Sequence, residues 1–299
     1  MRRTLKGEEV LCFLHIPKTG GTSLNAVLEE WFRPDEICPF LEERFAEEAK
    51  KAGREALARY RLVRAHHDYS IHRLLPRPPV YITMLRDPVR RVLSLFEHIR
   101  RMPEHRLHRA VVERKLSLEE VLEYPGEEER LNNRQVRQIV GAIEGREAFE
   151  GVPGAQLVEI AKKRLEEFAF FGLTERFRES VTLLSYTFGC RPVTRYDVLN
   201  AVPPSWTRAA ISDADMEAIL RHNRLDLELH RHAVERFEAR LAQAFEEVVA
   251  AEHGDALAGD RPSLGVQMGE RLRSLRRRLG PPGSARERGY LWVRRRLGF

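Results

Sequence analysis

Cysteine is scarce in this chain, and long apolar runs are missing. The three cysteines, Cys12, Cys38 and Cys190, occur among 299 residues without a CxxC pair or Cys/His ligand spacing. That pattern argues against a disulfide framework and favours free thiols in a reducing compartment. No stretch is long enough to span a bilayer, and the apolar run at 10–16 is too short for a signal-peptide core. We therefore expect a soluble, cytoplasmic protein.

Positive charge is concentrated at the carboxyl end. Residues 271–299 hold ten arginines and one glutamate, so a chain of net charge +6 carries −3 outside this tail. Such a tail suits an anionic membrane surface, nucleic acid or another polyanion, although a solvated extension explains it equally well. Gly- and Pro-rich segments at 254–263 and 280–284 resemble linkers. We predict one catalytic domain at 1–253, then a linker and arginine-rich tail at 254–299.

Apolar runs typical of strands alternate with helical patterns. The runs lie at 10–16, 61–65, 80–85 and 168–172, and the alternation predicts an α/β fold with a central parallel sheet flanked by helices. Helices are predicted to begin near Thr22 and at Pro88, and a long helical pattern covers 212–251. The charged stretches 32–59 and 102–150 are interpreted as insertions on the side of a second substrate, though solvated helices would have the same composition.

The segment following the first strand has the composition of an anion-binding loop. It reads HIPKTGGTSL from His15 to Leu24. Glycines and a helix amino end present backbone N–H groups to an anion, and a lysine adds a full charge. An ordinary strand-to-helix turn explains the glycines but not the lysine. The loop is not a Walker A motif, because its lysine precedes the glycines. The candidate anion-binding residues are Lys18, Thr19, Gly20, Gly21, Thr22 and Ser23.

The string His15–Leu24 resembles the 5′-phosphosulfate loop of sulfotransferases that use 3′-phosphoadenosine 5′-phosphosulfate (PAPS), in the branch similar to heparan sulfate 2-O-sulfotransferase. The resemblance implies a P-loop-like three-layer fold and PAPS as cosubstrate, with no metal required. It also implies sulfuryl transfer to a hydroxyl acceptor, which we expect to be a glycan or glycolipid. In that family the lysine matching Lys18 stabilises the leaving 5′-phosphate.

A second motif follows the third predicted strand. The residues from Arg86 to Phe96 resemble the family's 3′-phosphate motif RDPxxRxxSxY, with Phe96 where tyrosine is usual. The resemblance implies that Arg86 supplies a planar guanidinium and Ser94 a hydroxyl to that phosphate. If the resemblance is set aside, an arginine such as Arg86 at the end of a strand more often forms an ion pair with a neighbour such as Asp87.

The candidate general base lies after the second strand. The sequence AHHDY at 65–69 resembles the family segment Gly-His-x-x-Tyr, whose histidine is the proposed base, and this implies the role for His66. Arg64 occupies the position where the family has another histidine. A metal site is a weaker alternative, because adjacent residues of an extended segment face opposite ways; its ligands would be His66, His67, Asp68 and His72.

Three further segments resemble the family, at Asn132–Gly141, Phe171–Phe177 and Asn223–Ala233. Direct contact with a substrate and a purely structural role remain open for each, and Asp226 is expected to make a structural hydrogen bond. Two rival functions also stay open. One is a nucleotide-dependent kinase on the same fold, and the other is a non-catalytic module that binds polyanions through the tail.

Overall fold

The computed structural model describes residues 2–40, 45–141, 151–190 and 211–255. Its centre is a parallel sheet of four strands in the order β2-β1-β3-β4. All residues of the first and last strands are buried, so both faces of the sheet are covered, as expected when helices cross over between parallel strands. The predicted α/β architecture is confirmed. The strands are β1 (Val10–Leu14), β2 (Leu62–Ala65), β3 (Pro79–Leu85) and β4 (Phe170–Leu173).

Eleven α-helices lie in the described part of the chain. Three short 3-10 turns supplement them, at Pro34–Glu36, Tyr69–Arg73 and Thr174–Arg176. The helices are α1 (Gly21–Glu29), α2 (Phe45–Leu57, kinked at Gly53), α3 (Pro88–Arg101), α4 (His108–Glu113), α5 (Leu118–Leu122), α6 (Glu128–Leu131), α7 (Arg134–Val140), α8 (Gly154–Glu167), α9 (Phe177–Phe188), α10 (Asp213–His222) and α11 (Arg224–Asp255).

Helices α3, α4, α5 and α10 enclose an apolar cluster of their own. The charged stretch 102–150 was interpreted as an insertion, and within it α4 packs against α3 and α5 packs against α10. Burial of these side chains supplies the driving force for that packing. The cluster consists of Val92, Ile99, Leu107, Val111, Leu118, Val121, Leu122, Leu131, Ala218 and Ile219.

The helical pattern at 212–251 forms two helices rather than one. Helix α10 ends at His222 and α11 begins at Arg224. Asn223 lies between them with φ −121° and ψ 27°, outside the helical region. The apolar periodicity of the sequence continues across this break, because both helices bury a face, and periodicity alone therefore does not reveal it.

The chain divides into two compact units, residues 1–240 and 241–299. In the second unit the structure describes only the end of α11, from Leu241 to Asp255. The predicted arginine-rich tail lies almost wholly outside the described residues, and the predicted boundary between 253 and 254 stays a prediction. Of the helices that the structure describes, none combines the length and apolarity needed to cross a membrane. The cytoplasmic location also stays a prediction.

Candidate active site

The candidate residues lie at the carboxyl edge of the parallel sheet. Strand β1 has β2 on one side and β3 on the other, so the connections leave β1 and β3 in opposite directions. Ligands of open α/β sheets bind in the crevice formed at such a point. The loop containing Lys18 follows β1, His66 follows β2, and Arg86 follows β3. The topology therefore brings these three candidates to one edge.

The loop after β1 adopts an unusual backbone conformation. Lys18 has φ 70° and Gly20 has φ 81°, both in the left-handed region. The side chain of Thr19 is fully buried, and its hydroxyl donates to the carbonyl of Ile16 at 2.8 Å. A threonine hydroxyl has one hydrogen to donate. In this structure the side chain of Thr19 therefore shapes the loop, and its part in anion binding stays a prediction.

The amino end of α1 is free of side-chain caps. Gly20 occupies the cap position, where it supplies no side-chain capping hydrogen bond. Uncapped N–H groups and the positive end of the helix dipole suit a bound anion. Thr22 is exposed in this first turn, whereas Ser23 is buried. Only the Thr22 hydroxyl is thus openly accessible to a ligand.

Gly21 is needed because the ring of His15 lies directly against it. A Cβ built at Gly21 would lie 2.0 Å from Cδ2 of His15, far inside van der Waals contact. Absence of a side chain at this position lets the first turn of α1 approach the end of β1. The paired glycines thus serve two purposes: Gly20 permits a positive φ, and Gly21 permits close packing.

Arg86 is directed at the loop rather than at its neighbour Asp87. Its Nη1 donates to the carbonyl of Lys18 at 2.8 Å, while Asp87 caps α3 by accepting from the N–H of Arg90 at 2.9 Å. No ion pair joins Arg86 to Asp87 in the described part of the chain. The Nε of Arg86 is buried and has no partner among the described groups. The ion-pair alternative is therefore not what the structure shows.

Lys18 lies in a strongly positive environment. Burial lowers the pKa of its ammonium group to about 8, and repulsion from Arg86 and Arg101 contributes. Burial also lowers the pKa of Arg86, although Glu175 partly compensates. Arg86 and Arg101 repel Lys18, and Glu175 offsets only part of this excess positive charge. An anionic ligand would relieve that repulsion.

Helix α3 adds two residues to this edge. Ser94 is 4% exposed, and His98 follows it one turn later on the same helix. The pKa of His98 falls to about 4 because of burial and repulsion by Lys18. His98 is therefore neutral near pH 7 and close to Lys18. It was missed in the sequence, where its four-residue spacing from Ser94 was the available signal.

The candidate base His66 has an imidazole neighbour from another strand. Its ring centroid lies 4.4 Å from that of His15, with an angle of 59° between the planes. Burial lowers the pKa of His15 to about 3, so His15 is uncharged at neutral pH. Arg64, at the position where the family has a second histidine, instead pairs with Glu29 at 2.7 Å. In this chain the second imidazole ring beside His66 therefore comes from His15, at the end of β1, and not from position 64.

Three buried or half-buried side chains tie the ends of the strands together. Gln138 donates through Nε2 to the carbonyls of His15 at 2.9 Å and His67 at 2.7 Å. The amide of Gln135 bonds both the N–H and the carbonyl of Arg86, each at 2.9 Å.

The third tie is Thr174, which follows β4. Its hydroxyl oxygen lies 2.5 Å from the carbonyl of Thr19 and 3.0 Å from that of Leu85. This contact joins the loop after β1 to the end of β3. No short motif reveals these ties, because each links segments 49 or more residues apart.

Helices α7 and α11 cap each other. Asn133 accepts from the N–H groups of Leu225 and Asp226 at 2.9 and 3.2 Å. In return Asp226 accepts from the N–H groups of Gln135 and Val136 at 3.1 and 2.8 Å. The structural hydrogen bond expected for Asp226 is confirmed. Asn133 is likewise occupied within the fold, and a direct contact with substrate through it is not supported.

The alternative metal site is not assembled. Asp68 caps the turn Tyr69–Arg73 by accepting from the N–H of Ser70 at 2.8 Å. Nδ1 of His72 lies 2.8 Å from the carbonyl of Tyr69. Within the described residues no three His, Cys, Asp or Glu side chains are arranged to hold a metal ion.

Comparison with known proteins agrees with this geometry. The model of the sulfotransferase family matches residues 2–201, which is more than half of the chain. This chain belongs to the sulfotransferase family. The family named from the sequence is therefore confirmed, and the motifs at Lys18, His66 and Arg86 all lie inside the match. Assignment of roles to these residues stays a prediction.

The similar curated proteins carry 6-O names, whereas the sequence resemblance pointed to the 2-O branch. Human heparan-sulfate 6-O-sulfotransferase 1 is 29% identical over 80% of this chain and 68% of its own length. Zebrafish heparan-sulfate 6-O-sulfotransferase 2 is 30% identical over 78% of this chain and 59% of its own length. A crystal structure of mouse sulfotransferase SULT7A1 complexed with PAP matches at 17% identity and a TM-score of 0.26, covering 76% of this chain and 90% of that one.

Proposed function

We propose that this chain transfers a sulfuryl group from PAPS to a carbohydrate hydroxyl. One observation carries the proposal: Arg86 contacts the Lys18 loop at 2.8 Å beside the uncapped amino end of α1, within a member of the sulfotransferase family. Two half-buried cations beside the amino end of a helix suit a donor that carries two anionic phosphate groups. The unpartnered Nε of Arg86 leaves a donor for such a ligand.

In the proposed reaction the acceptor oxygen attacks sulfur in line with the departing 5′-phosphate. A bond forms between that oxygen and sulfur, and the bond between sulfur and the bridging oxygen breaks. His66 accepts the hydroxyl proton, and Lys18 stabilises the charge that develops on the leaving oxygen. The products are a sulfate ester, 3′-phosphoadenosine 5′-phosphate (PAP) and protonated His66. Positioning and electrostatics supply most of the rate, as in phosphoryl transfer.

Support for a carbohydrate acceptor comes from the relatives. Their names state that they act on heparan sulfate. Because this chain spans as little as 59% of the length of such a relative, the acceptor is proposed at the level of a glycan hydroxyl and not as heparan sulfate itself. The arginine-rich tail is proposed to hold a polyanion or an anionic membrane surface, on its charge alone.

The decisive experiment is calorimetric titration of the purified protein with PAP, AMP and ATP in the absence of metal. We expect micromolar binding of PAP and much weaker binding of AMP, since only PAP fills both phosphate sites. Arg86→Ala should weaken the binding of PAP at least tenfold. Arg114→Ala, which changes an exposed arginine at the end of α4, should leave the affinity for PAP unchanged. Tighter binding of ATP with Mg²⁺ would instead indicate the kinase alternative.

Transfer itself is tested with PAPS carrying labelled sulfur and a panel of glycans. Heparan sulfate, its desulfated polysaccharide and a neutral glucan would separate acceptors by charge and by sugar type. Label recovered in a glycan, and lost in His66→Ala, supports the proposal. Micromolar PAP binding with no label in any glycan would restrict the proposal to the donor half of the reaction.

A further inference from the structure

A cavity of about 660 Å³ lies at the opposite edge of the sheet from the candidate active site. It is lined at the amino ends of two parallel strands, by Pro79 of β3 and by Phe168 and Ala169 just before β4. Strand β3 spans seven residues, about 20 Å at roughly 3.3 Å per residue. Tyr69 and His72, in the turn after His66, also line the cavity, whereas no residue of the Lys18 loop does.

Positive charge dominates the walls of the cavity. Four arginines and one histidine line it, against the single carboxylate of Glu167. Arg3 is paired with Glu9 at 2.6 Å. Among the residues that the structure describes, Arg73, Arg77 and Arg164 have no carboxylate within ion-pairing distance. Glu167 and Asp68 offset part of the charge of Arg164, but four arginines against one lining carboxylate leave an excess of positive charge that favours an anionic ligand.

Two of these arginines are held in place by the backbone. Arg77 donates through Nε to the carbonyl of Ala58 and through Nη1 to that of Gly7 at 2.6 Å. Nη2 forms no hydrogen bond with the described groups. A guanidinium fixed on one side and open on the other loses little conformational freedom when it binds an oxyanion.

Arg164 is fixed in a comparable way. Its Nη1 donates to the carbonyl of Val140, and its guanidinium carbon lies 4.0 Å from the centroid of the Tyr69 ring. That ring stacks in turn on Tyr81 at 4.7 Å. The contact with the aromatic stack holds the guanidinium at the wall of the cavity, and Nε and Nη2 form no hydrogen bond with the described groups.

We propose that this cavity binds a small saccharide bearing a sulfate or phosphate ester, with Arg73, Arg77 and Arg164 holding the ester oxygens. A tetrahedral oxyanion matches guanidinium donors arriving from several directions. The volume exceeds the space that a bare ion needs and lies within the usual range for small-molecule sites. This site is independent of sulfuryl transfer, so it can exist whether or not the proposed function is correct.

The test uses the full-length Lys18→Ala chain, in which the candidate donor site is disabled. Glucosamine 6-sulfate, glucose 6-phosphate, glucosamine and inorganic sulfate are titrated separately by calorimetry. We expect the two esters to bind, and glucosamine, which lacks the ester, not to bind. Inorganic sulfate binding as tightly as the sugar esters would assign the site to free oxyanions, and weaker sulfate binding would assign it to ester-bearing saccharides.

The arginine assignment is tested by variants that spare the fold. Arg73 is exposed, and its side chain forms no hydrogen bond or ion pair with the described groups. Arg73→Glu should therefore fold normally and weaken binding of the esters by roughly tenfold or more. Arg164→Lys keeps the positive charge but loses the planar guanidinium, and it should weaken binding of the esters less than Arg73→Glu does. Arg114→Glu is the matched surface control. If no ester binds, or if Arg73→Glu binds every ester as well as Arg114→Glu does, the proposal is wrong.

Discussion

The rings of His15 and His66 meet at a centroid distance of 4.4 Å although they follow different strands. Parallel pairing of Leu14 with Ala65 explains the contact, because His15 and His66 are the next residue on each strand. His15 also stacks on Phe13 at 5.3 Å and stays uncharged near neutral pH, since burial lowers its pKa to about 3. It therefore packs against His66 without repelling a proton held there.

The two histidines should differ sharply on substitution. His66→Ala should lower kcat by about 10² to 10⁴, the usual contribution of a general base, and leave the Kd for PAP unchanged. His15→Phe keeps a ring of similar shape and should retain kcat within about threefold, because no proton transfer is assigned to His15. Single-turnover transfer and PAP calorimetry measure both. Equal losses in the two variants would show that His15 shares the proton.

Gly21→Ala should lower both the stability of the chain and its affinity for PAP, whereas Gly7→Ala should change neither. The new methyl at Gly21 would lie 2.0 Å from the His15 ring, whereas no atom lies within 4 Å of a Cβ at Gly7. Forcing the ring and the first turn of α1 apart should cost about 1 to 3 kcal/mol of unfolding free energy and weaken PAP binding. Urea denaturation and calorimetry report the two effects. Normal PAP affinity in Gly21→Ala would mean that the ligand does not use this turn.

Binding of PAP should weaken as pH rises through 8. The pKa of Lys18 is lowered to about 8 in the free chain by burial and by the nearby arginines. The ammonium group of Lys18 loses its proton above this pKa, so at pH 9 only about a tenth of the molecules keep a charged Lys18. We expect roughly tenfold weaker PAP binding at pH 9 than at pH 7.

Lys18→Arg provides the control for that pH dependence. A guanidinium stays charged throughout this range, so the variant should bind PAP with little change between pH 7 and pH 9. Calorimetry at both values on both proteins separates titration of Lys18 from any general effect of alkali. The same decline in Lys18→Arg would assign the titration to another group.

The sheet and its loop could be predicted because their signals are local. Each strand is a short apolar run, and the predicted and observed strands agree within two residues at each end. The loop at Lys18 and the arginine at the end of β3 are contiguous motifs. They could be placed at one edge because parallel strands carry their carboxyl ends together.

Residues that act through distant contacts could not be predicted. Gln138 bonds carbonyls 123 and 71 residues away, and the hydroxyl of Thr174 meets the carbonyls of Thr19 and Leu85, 155 and 89 residues away. Mutual capping of α7 and α11 joins Asn133 and Asp226 across 93 residues. No periodicity or spacing encodes such pairs, because they depend on tertiary packing.

Asp226→Asn should destabilise the chain strongly. Asp226 and Arg91 are both fully buried, 3.9 Å apart. Gln135 and Val136 donate to different oxygens of the Asp226 carboxylate, and asparagine would replace one of those oxygens with an NH2 group. A buried charge that loses its partner typically costs about 3 to 5 kcal/mol. Asp213→Asn, at an exposed position in the first turn of α10, should cost less than 1 kcal/mol. Urea midpoints that fall equally would argue against a special role for the buried pair.

Gln138→Met should impair turnover more than donor binding. Gln138 is 1% exposed and is the tie between the chain just before the Lys18 loop and the chain just after His66. Methionine has similar size but no N–H, so two carbonyls lose a donor and the unfolding free energy should fall by about 1 to 3 kcal/mol. Gln243→Met, at an exposed glutamine of α11, is the control.

Comparing the change in kcat with the change in the Kd for PAP distinguishes a positioning role of Gln138 from a purely structural one. If it positions His66 relative to Lys18, kcat should fall at least tenfold while the Kd for PAP changes less than threefold, because misplacement of the reacting groups affects the transition state most. If it only stabilises the fold, kcat per folded molecule should be unchanged at a temperature well below the melting transition. Measuring kcat, Kd and the urea midpoint on the same preparation separates these outcomes, since a positioning role requires the loss of kcat to exceed any loss of folded protein.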